Sequence, residues 1–463
     1  MKSTTLLSLA WFTQSAYSLS LHPRDEPATL ALNFERRQIA NRPQRKRSTA
    51  SAELVNLAAN LGYTMNLTLG TPGQAVSVTL DTGSSDLWVN AANASVCPCD
   101  YGSYSPSDSS TYEFVNDDFY IQYVDNSEAA GDYVNDTLQF ANVTLTNFQF
   151  AVAYDGDSDE GVFGIGYAAD EASLDGTYTN FPQALVDQGV INSPAYSLWL
   201  DDLEKGQGTI LFGGVNTAKY YGSLQTLPVI PEPTDYDTEV YAEFAVNLTA
   251  VHLEKSGEAL SVNNTAQFPS AAVLDSGTAL AYIPTSAAES IFDALGAEYS
   301  DMYGYAIVNC SLKDEDITFY FEFAGSFNMT VDISEMVIDD DDGEGFCTFG
   351  LSASDDDTLL GDTFLRSTYV VYDLANNEIS IAQANFNPGT DHVLEIGTGA
   401  NAVPNATGAT ESSSSGSQTS GASSSSGTGS SGDSKKESLA TVSRSPITSL
   451  VGGLVVAGFF LTL

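Results

Sequence analysis

Residues 80–89 read LDTGSSDLWV, and a shortened echo at 274–283 reads LDSGTALAYI. In both, an Asp follows an apolar run and precedes a hydroxyl residue, a Gly and a second hydroxyl residue. Two carboxyls brought together from such loops cannot both ionise easily, so they share a proton over a broad acidic range. One can then take a proton from water while the other, still protonated, polarises a carbonyl. Asp81 and Asp275 are therefore the candidate catalytic pair, activating water with no covalent intermediate, no cofactor and no metal. Gly83 and Gly277 permit a tight turn beneath each Asp. Thr82, Ser84, Ser276 and Thr278 supply hydroxyls that can bond carboxyls or backbone and fix their orientation. One chance match to this pattern is expected in roughly a few per cent of chains this long. Two, each behind strand-like residues, are far rarer.

The elements that must carry these loops read as strands. From about 54 to 386, stretches such as YTMNLTLG, AVSVTLD, DDFYIQYV, VTLTNFQFAVA and STYVVYDLANNEISIAQ alternate with period two and are rich in Val, Ile, Tyr, Phe and Thr. Gly, Asn and Asp clusters punctuate them. One helical pattern stands out, SAAESIFDALGAEY at 286–299. The expected class is all-β with a few short helices.

Charge narrows the partners. The 463 residues carry 16 Lys and Arg against 60 Asp and Glu, a net charge of −44. Phosphates would be repelled, which excludes nucleic acid as a partner. Between Ser48 and Gly432 the only basic residues are Lys205, Lys219, Lys255, Lys313 and Arg366. Such a surface repels itself less as its carboxylates protonate, which points to an acidic working environment. There is no G-x-S-x-G stretch, and His22, His252 and His392 are scattered, so neither a serine or cysteine hydrolase nor a zinc site is indicated.

The ends of the chain read as processing and attachment signals. Residues 1–18 have a basic residue, an apolar run and small residues, the order of a secretory signal peptide. A basic segment, 19–47, ends at Lys46-Arg47, a dibasic cleavage site that would release it as a propeptide. Residues 389–432 run into a Ser/Thr/Gly-rich stalk too poor in apolar residues to form a core. The small residues around Gly432, the polar spacer and the apolar tail in 433–463 fit a signal for glycosylphosphatidylinositol (GPI) attachment, with Gly432 the attachment residue. Nine sequons, at Asn66, Asn93, Asn135, Asn142, Asn247, Asn263, Asn309, Asn328 and Asn405, fit an extracellular route. In that setting Cys310 and Cys347 are expected to form a disulfide, while Cys97 and Cys99 are open to either free thiols or an unusual bridge.

With these residues in view, the stretch from about Tyr63 to Phe386 resembles the pepsin-like aspartic proteases. VFGIG at 162–166 and LLGDTFLR at 359–366 resemble the paired segments that run behind each Asp loop, and SLWL with GTILFGGVN is another shared stretch. The resemblance implies two similar β lobes, 48–235 and 236–388, each supplying half of one site in the cleft between them. It implies an endopeptidase made as a zymogen, a monomer taking protein and peptide substrates. It also implies a flap hairpin at 119–138, with Tyr123 as the flap tyrosine hydrogen-bonded by Trp88. Val124 and Asn126 stand where the family usually has Gly. Asp125 resembles an acidic flap residue that lets fungal relatives accept Lys or Arg beside the scissile bond. With the stalk and GPI signal, the chain resembles the yapsin-type fungal members, anchored on the outer face of the cell membrane or in the wall. The competing expectation is a non-catalytic wall or adhesion protein on a glycosylated stalk.

Overall fold

Alternation in the sequence becomes alternation of burial. The strand Ile317–Phe323 turns every second residue, from Ile317 to Phe323, into the core, as its period-two pattern requires. Two strands, Ala195–Leu200 and Thr368–Asp373, are buried at every position. They are near-continuous apolar runs at the centre of a sheet covered on both faces. The computed structural model describes residues 27–38, 61–141, 143–233, 238–262, 267–300, 305–324, 327–339 and 345–408. The signal peptide, Lys46 and Arg47, Asn142, Asn263, most of the expected stalk, Gly432 and the attachment signal lie outside them.

The described residues between 30 and 164 form eight strands: β1 (Leu30–Gln38), β2 (Leu61–Leu69), β3 (Gln74–Asp81), β4 (Leu87–Asn90), β5 (Glu113–Gln122), β6 (Glu128–Phe140), β7 (Val143–Gly156) and β8 (Gly161–Gly164). All eight belong to a 14-stranded sheet that also takes in Ala195–Leu200 and Thr368–Asp373. A second, eight-stranded sheet is built from the second half of the chain. The expected bilobal all-β architecture with a few short helices is what forms. The helix expected over 286–299 runs from Thr285 to Leu295 and stops at Gly296, whose φ of 70° provides a left-handed cap.

A local duplication positions the two Asp loops. β3 pairs in parallel with β8, setting Asp81 opposite Gly164, and β8 pairs antiparallel with β4. In the second half, Ser270–Leu274 pairs in parallel with Thr358–Leu360, and that strand pairs antiparallel with Ala281–Pro284. Each Asp thus leaves the end of a strand whose neighbour is the matching apolar-apolar-Gly segment. A Cβ on Gly164 would sit 2.6 Å from the backbone nitrogens of Ser85 and Asp86. Only glycine lets that segment lie so close beneath the first loop.

Two segments outside the expected lobes also pack on the body. Residues 30–38, inside the expected propeptide, are strand β1 of the large sheet, between Gln207–Phe212 and β2. Residues 389–408, assigned to the stalk, fold onto the body: Val393–Glu395 pairs with Gly214–Asn216, and Ile396, Ala402 and Val403 join a cluster with Trp199 and Tyr369. The composition shift at Pro388 comes before the end of the core because Ile396 and Val403 are enough to anchor a segment otherwise rich in Gly and Asn.

Both cysteine pairs are bridged. Cys310–Cys347 closes as expected, and Cys97–Cys99 forms the bridge rather than two free thiols. Of the sequon asparagines described, Asn66, Asn93, Asn247, Asn309, Asn328 and Asn405 are exposed, while Asn135 is partly buried. Among the described residues no helix is long and apolar enough to cross a membrane.

Candidate active site

The two Asp loops meet tip to tip through crossed hydrogen bonds. Thr82 Oγ1 donates to the Leu274 carbonyl at 2.9 Å, and Ser276 Oγ donates to the Leu80 carbonyl at 3.0 Å. In return each hydroxyl accepts the opposite loop's amide, Ser276 N at 2.9 Å and Thr82 N at 3.2 Å. Each hydroxyl therefore donates across the interface and accepts back, and all four groups are buried. At about 1 kcal/mol per bond, the ladder contributes roughly 4 kcal/mol to holding the loops in register.

On this frame the carboxyls are held by matching partners. Asp81 Oδ1 accepts from Gly83 N at 2.8 Å and its Oδ2 from Ser84 Oγ at 2.5 Å. Asp275 Oδ1 accepts from Gly277 N at 2.8 Å and its Oδ2 from Thr278 Oγ1 at 2.5 Å. Both side chains are buried and face each other, each within reach of a carbon added at Gly277. Burial first, and then the facing Asp275 charge, push the Asp81 carboxyl well above the usual carboxylate range. The pair therefore keeps one proton after its first ionisation, the state in which one member can act as base and the other as acid.

β5 and β6 form the hairpin over this pair. Tyr123 N bonds the Ser127 carbonyl, and Asn126 N bonds the Tyr123 carbonyl, closing a tight turn at the tip. Asn126 has φ of 66°. Asn is among the few side chains that tolerate this conformation, so it can stand where a Gly is usual. Trp88 Nε1 donates to Tyr123 Oη at 2.7 Å, the contact expected from the sequence. Tyr123 Oη is held well above the usual tyrosine range by burial and by the Asp81 charge, so it stays a neutral hydroxyl. Asp125 sits exposed at the tip with its Oδ1 accepting from Ser127 N and Oγ at 2.9 and 2.7 Å. It caps the turn, as Asp often does, and its charge also reaches Tyr282 in the second half.

The structure brings together Asp81, Thr82, Gly83, Ser84, Asp275, Ser276, Gly277 and Thr278, with Tyr123 and Trp88 above them. Sequence reasoning missed the acidic groups around them: Asp86, Asp170, Glu171 and Glu243. Asp86 stood inside the first motif, three residues after Gly83, and was readable there; the others come from unremarkable loops. Burial, reinforced by Glu243, Asp86 and Asp81, holds Asp170 well above the usual carboxylate range. Burial pushes Glu171 up to about 8, with the Asp86 charge adding to it and the Tyr178 amide opposing. Glu243 is pushed up to about 7 by burial and by Glu232, Asp357 and Asp275. Asp136 runs the other way, because hydroxyls of Ser109, Thr111 and Tyr104 outweigh its burial.

The sign of these shifts fixes a pH dependence of stability. A carboxyl raised in the fold binds more protons folded than unfolded, so its contribution is full below its unfolded value and lost through its folded value. For Glu243 the window runs from about 4.3, the unfolded value, to about 7, and for Glu171 to about 8. The thermal midpoint is expected to be highest near pH 4 and to fall steadily toward pH 8. Calorimetric scans at fixed ionic strength test this, and a midpoint that rises between pH 5 and 8 would refute it.

Two β lobes thus deliver one buried carboxyl each to a single place. Sequence comparison agrees. A family model described as eukaryotic aspartyl protease matches residues 62–384. The probable aspartic-type endopeptidase opsB of Aspergillus fumigatus is 46% identical over 410 residues, covering 84% of this chain and 83% of that one. Secreted aspartic protease 8 of Candida albicans is 37% identical, covering 74% and 80%. Aspartic proteinase MKC7 of Saccharomyces cerevisiae is 33% identical, covering 76% and 70%. The chain belongs to the eukaryotic aspartyl protease family.

Proposed function

We propose that this protein is a secreted, cell-surface-tethered aspartic endopeptidase that hydrolyses peptide bonds at acidic pH through Asp81 and Asp275. The observation that carries the reading is the crossed ladder of Thr82 and Ser276, which sets two buried carboxyls face to face. A water held between them gives a proton to the ionised carboxylate as its oxygen attacks the scissile carbonyl carbon. The protonated carboxyl gives its proton to the carbonyl oxygen, so no free oxyanion forms. In the tetrahedral intermediate the carboxyl that took the water's proton passes it to the amide nitrogen. The C–N bond then breaks as the other carboxyl takes back its proton, restoring the dyad. Tyr123 and Trp88 close the site over substrate, and the flap hairpin keeps out competing water.

Three finer features rest on the sequence. The signal peptide, the Lys46-Arg47 site, and the stalk with its Gly432 attachment signal support secretion, zymogen processing and GPI anchoring on the outer membrane face. Relatives named secreted aspartic protease fit that route. Asp125 at the flap tip, in a chain of net charge −44, supports acceptance of Lys or Arg beside the scissile bond.

The test is cleavage of a mixed peptide library by the secreted, trimmed protein from pH 3 to 7, with and without pepstatin. Pepstatin-sensitive cutting at acid pH, enriched for Lys or Arg at the cut bond, is the expected result. Asp125→Ala should lower the ratio of Lys to Leu cleavage about fivefold, in line with loss of one partly screened charge pair of about 1 kcal/mol. An unchanged ratio removes the basic preference. No cutting by folded protein at any pH moves the reading to the non-catalytic wall protein.

A further inference from the structure

Asp86 is fully buried, five residues after the first catalytic candidate, and takes no part in the proton transfers above. Its carboxylate is surrounded by donors from three directions. Oδ1 accepts from Tyr133 Oη at 2.8 Å and from Tyr178 Oη at 2.7 Å, and Oδ2 accepts from Ala172 N at 2.8 Å. Burial pushes this carboxyl up, and the three donors oppose that shift.

The three donors come from two separate segments of the chain. Tyr133 lies on β6, the returning strand of the flap hairpin. Ala172 and Tyr178 lie in the loop after β8, whose Asp170 feels the Asp81 charge. Asp86 itself belongs to the Asp81 loop, and its carbonyl accepts from Gly164 N in the segment beneath. The same tie continues through rings. Tyr178 packs edge-on against Tyr133 at 5.7 Å, Tyr133 against Phe119 at 5.3 Å, and Phe119 lies 6.5 Å from Trp88. Trp88 holds Tyr123, whose hydroxyl feels the Asp81 charge.

We propose that Asp86 is a positioning residue that ties the flap strand β6 and the loop 171–178 to the Asp81 loop, and so fixes Tyr123 over the dyad. The inference rests on the endopeptidase reading for its kinetic consequence, but the tether itself does not. An acid suits this position better than an amide, because an amide nitrogen would face a donor and leave one partner unpaired. Without the tether, β6 loses its hold on the floor of the site, and the flap opens more often than the rest of the sheet.

The test compares Tyr178→Phe, Tyr133→Phe and Asp86→Asn in the trimmed, secreted protein. The phenylalanine variants each delete one hydroxyl, from the buried Tyr133 ring or the partly buried Tyr178 ring, and keep the packing, so they remain folded even if Asp86→Asn does not. Amide hydrogen exchange over residues 113–140 and peptide kinetics are the two readouts. Exchange in the flap should rise about tenfold in each variant, with the strands 195–200 and 368–373 unchanged. The specificity constant kcat/KM should fall roughly 3- to 10-fold in the Phe variants and 10- to 100-fold in Asp86→Asn, mostly in kcat. Wild-type flap exchange in both Phe variants, or a rise spread evenly over the whole protein, overturns the proposal. If the wild type itself cleaves nothing, the endopeptidase reading has failed, and the exchange comparison still decides the tether.

Discussion

Asp81→Asn or Asp275→Asn is expected to give a folded, secreted protein that no longer cleaves peptides. Each proton transfer by a positioned carboxyl contributes about 10²–10⁴ in rate. Replacing one carboxyl removes a donor and an acceptor together, so kcat should fall by at least about 10⁴. Structure is spared because Asn matches Asp in shape. Its oxygen can still accept from Gly83 N or Gly277 N, and Ser84 or Thr278 can turn its hydroxyl to accept from the new amide.

Stability gives this prediction a second, independent sign. Above the acidic range the raised Asp81 carboxyl must ionise in a buried site beside Asp275, and its contribution to stability is lost as it does so. An Asn at position 81 cannot ionise. At pH 7 Asp81→Asn should therefore melt at the same temperature as wild type or higher, while at pH 4 the two should be close. Initial rates on a quenched-fluorescent peptide, with circular dichroism melts on the same samples, check both halves. More than about 1% residual activity in either purified variant would reject the dyad, and a lower melting point at pH 7 would reject the account of its charge.

The same physics decides how much of this site could be read without coordinates. The Asp loops were legible because their chemistry is local: an Asp, its Gly and its hydroxyls lie within four residues, and the duplication is visible by eye. The strand alternation was legible for the same reason, since period two needs only a short window. The crossed ladder was not, because its acceptors are the carbonyls of Leu80 and Leu274, and a main-chain carbonyl leaves no mark in a sequence. The tie at Asp86 joins positions 86, 133, 172 and 178, whose meeting depends on the path of three separate segments. The packing of 389–408 was not legible because composition averages over a window, whereas docking depends on single residues such as Ile396, fully buried against the body. At Asp125 the residue was found, but its hydrogen bonds to Ser127 depend on the turn that Asn126 makes possible.

Gly277→Ala separates the spacing of the dyad from its charge. Neither Gly83 nor Gly277 needs an unusual backbone conformation; what they provide is room. A Cβ on Gly83 would lie 2.6 Å from Asp275 Cγ, and one on Gly277 would lie 2.6 Å from Asp81 Cγ and 3.2 Å from Asp275 Oδ1. Carbon atoms pack at about 3.5–4.0 Å, so the added methyl must push the opposite carboxyl away by about 1 Å. Such a displacement pulls the two carboxyls apart, and a misplacement of this size costs about 10²-fold in rate. The expected result is a fall of roughly 10²–10³ in kcat, with a loss of stability of about 1–3 kcal/mol, the usual cost of overpacking. Every titrating group is still present, so the pH profile should narrow, its alkaline limb moving to lower pH, because carboxyls held further apart ionise more independently. Gly389→Ala is the control, since nothing lies within 4 Å of the added carbon. If Gly277→Ala keeps wild-type kcat while the control also does, the two carboxyls need not touch, and the shared proton is not what drives the reaction.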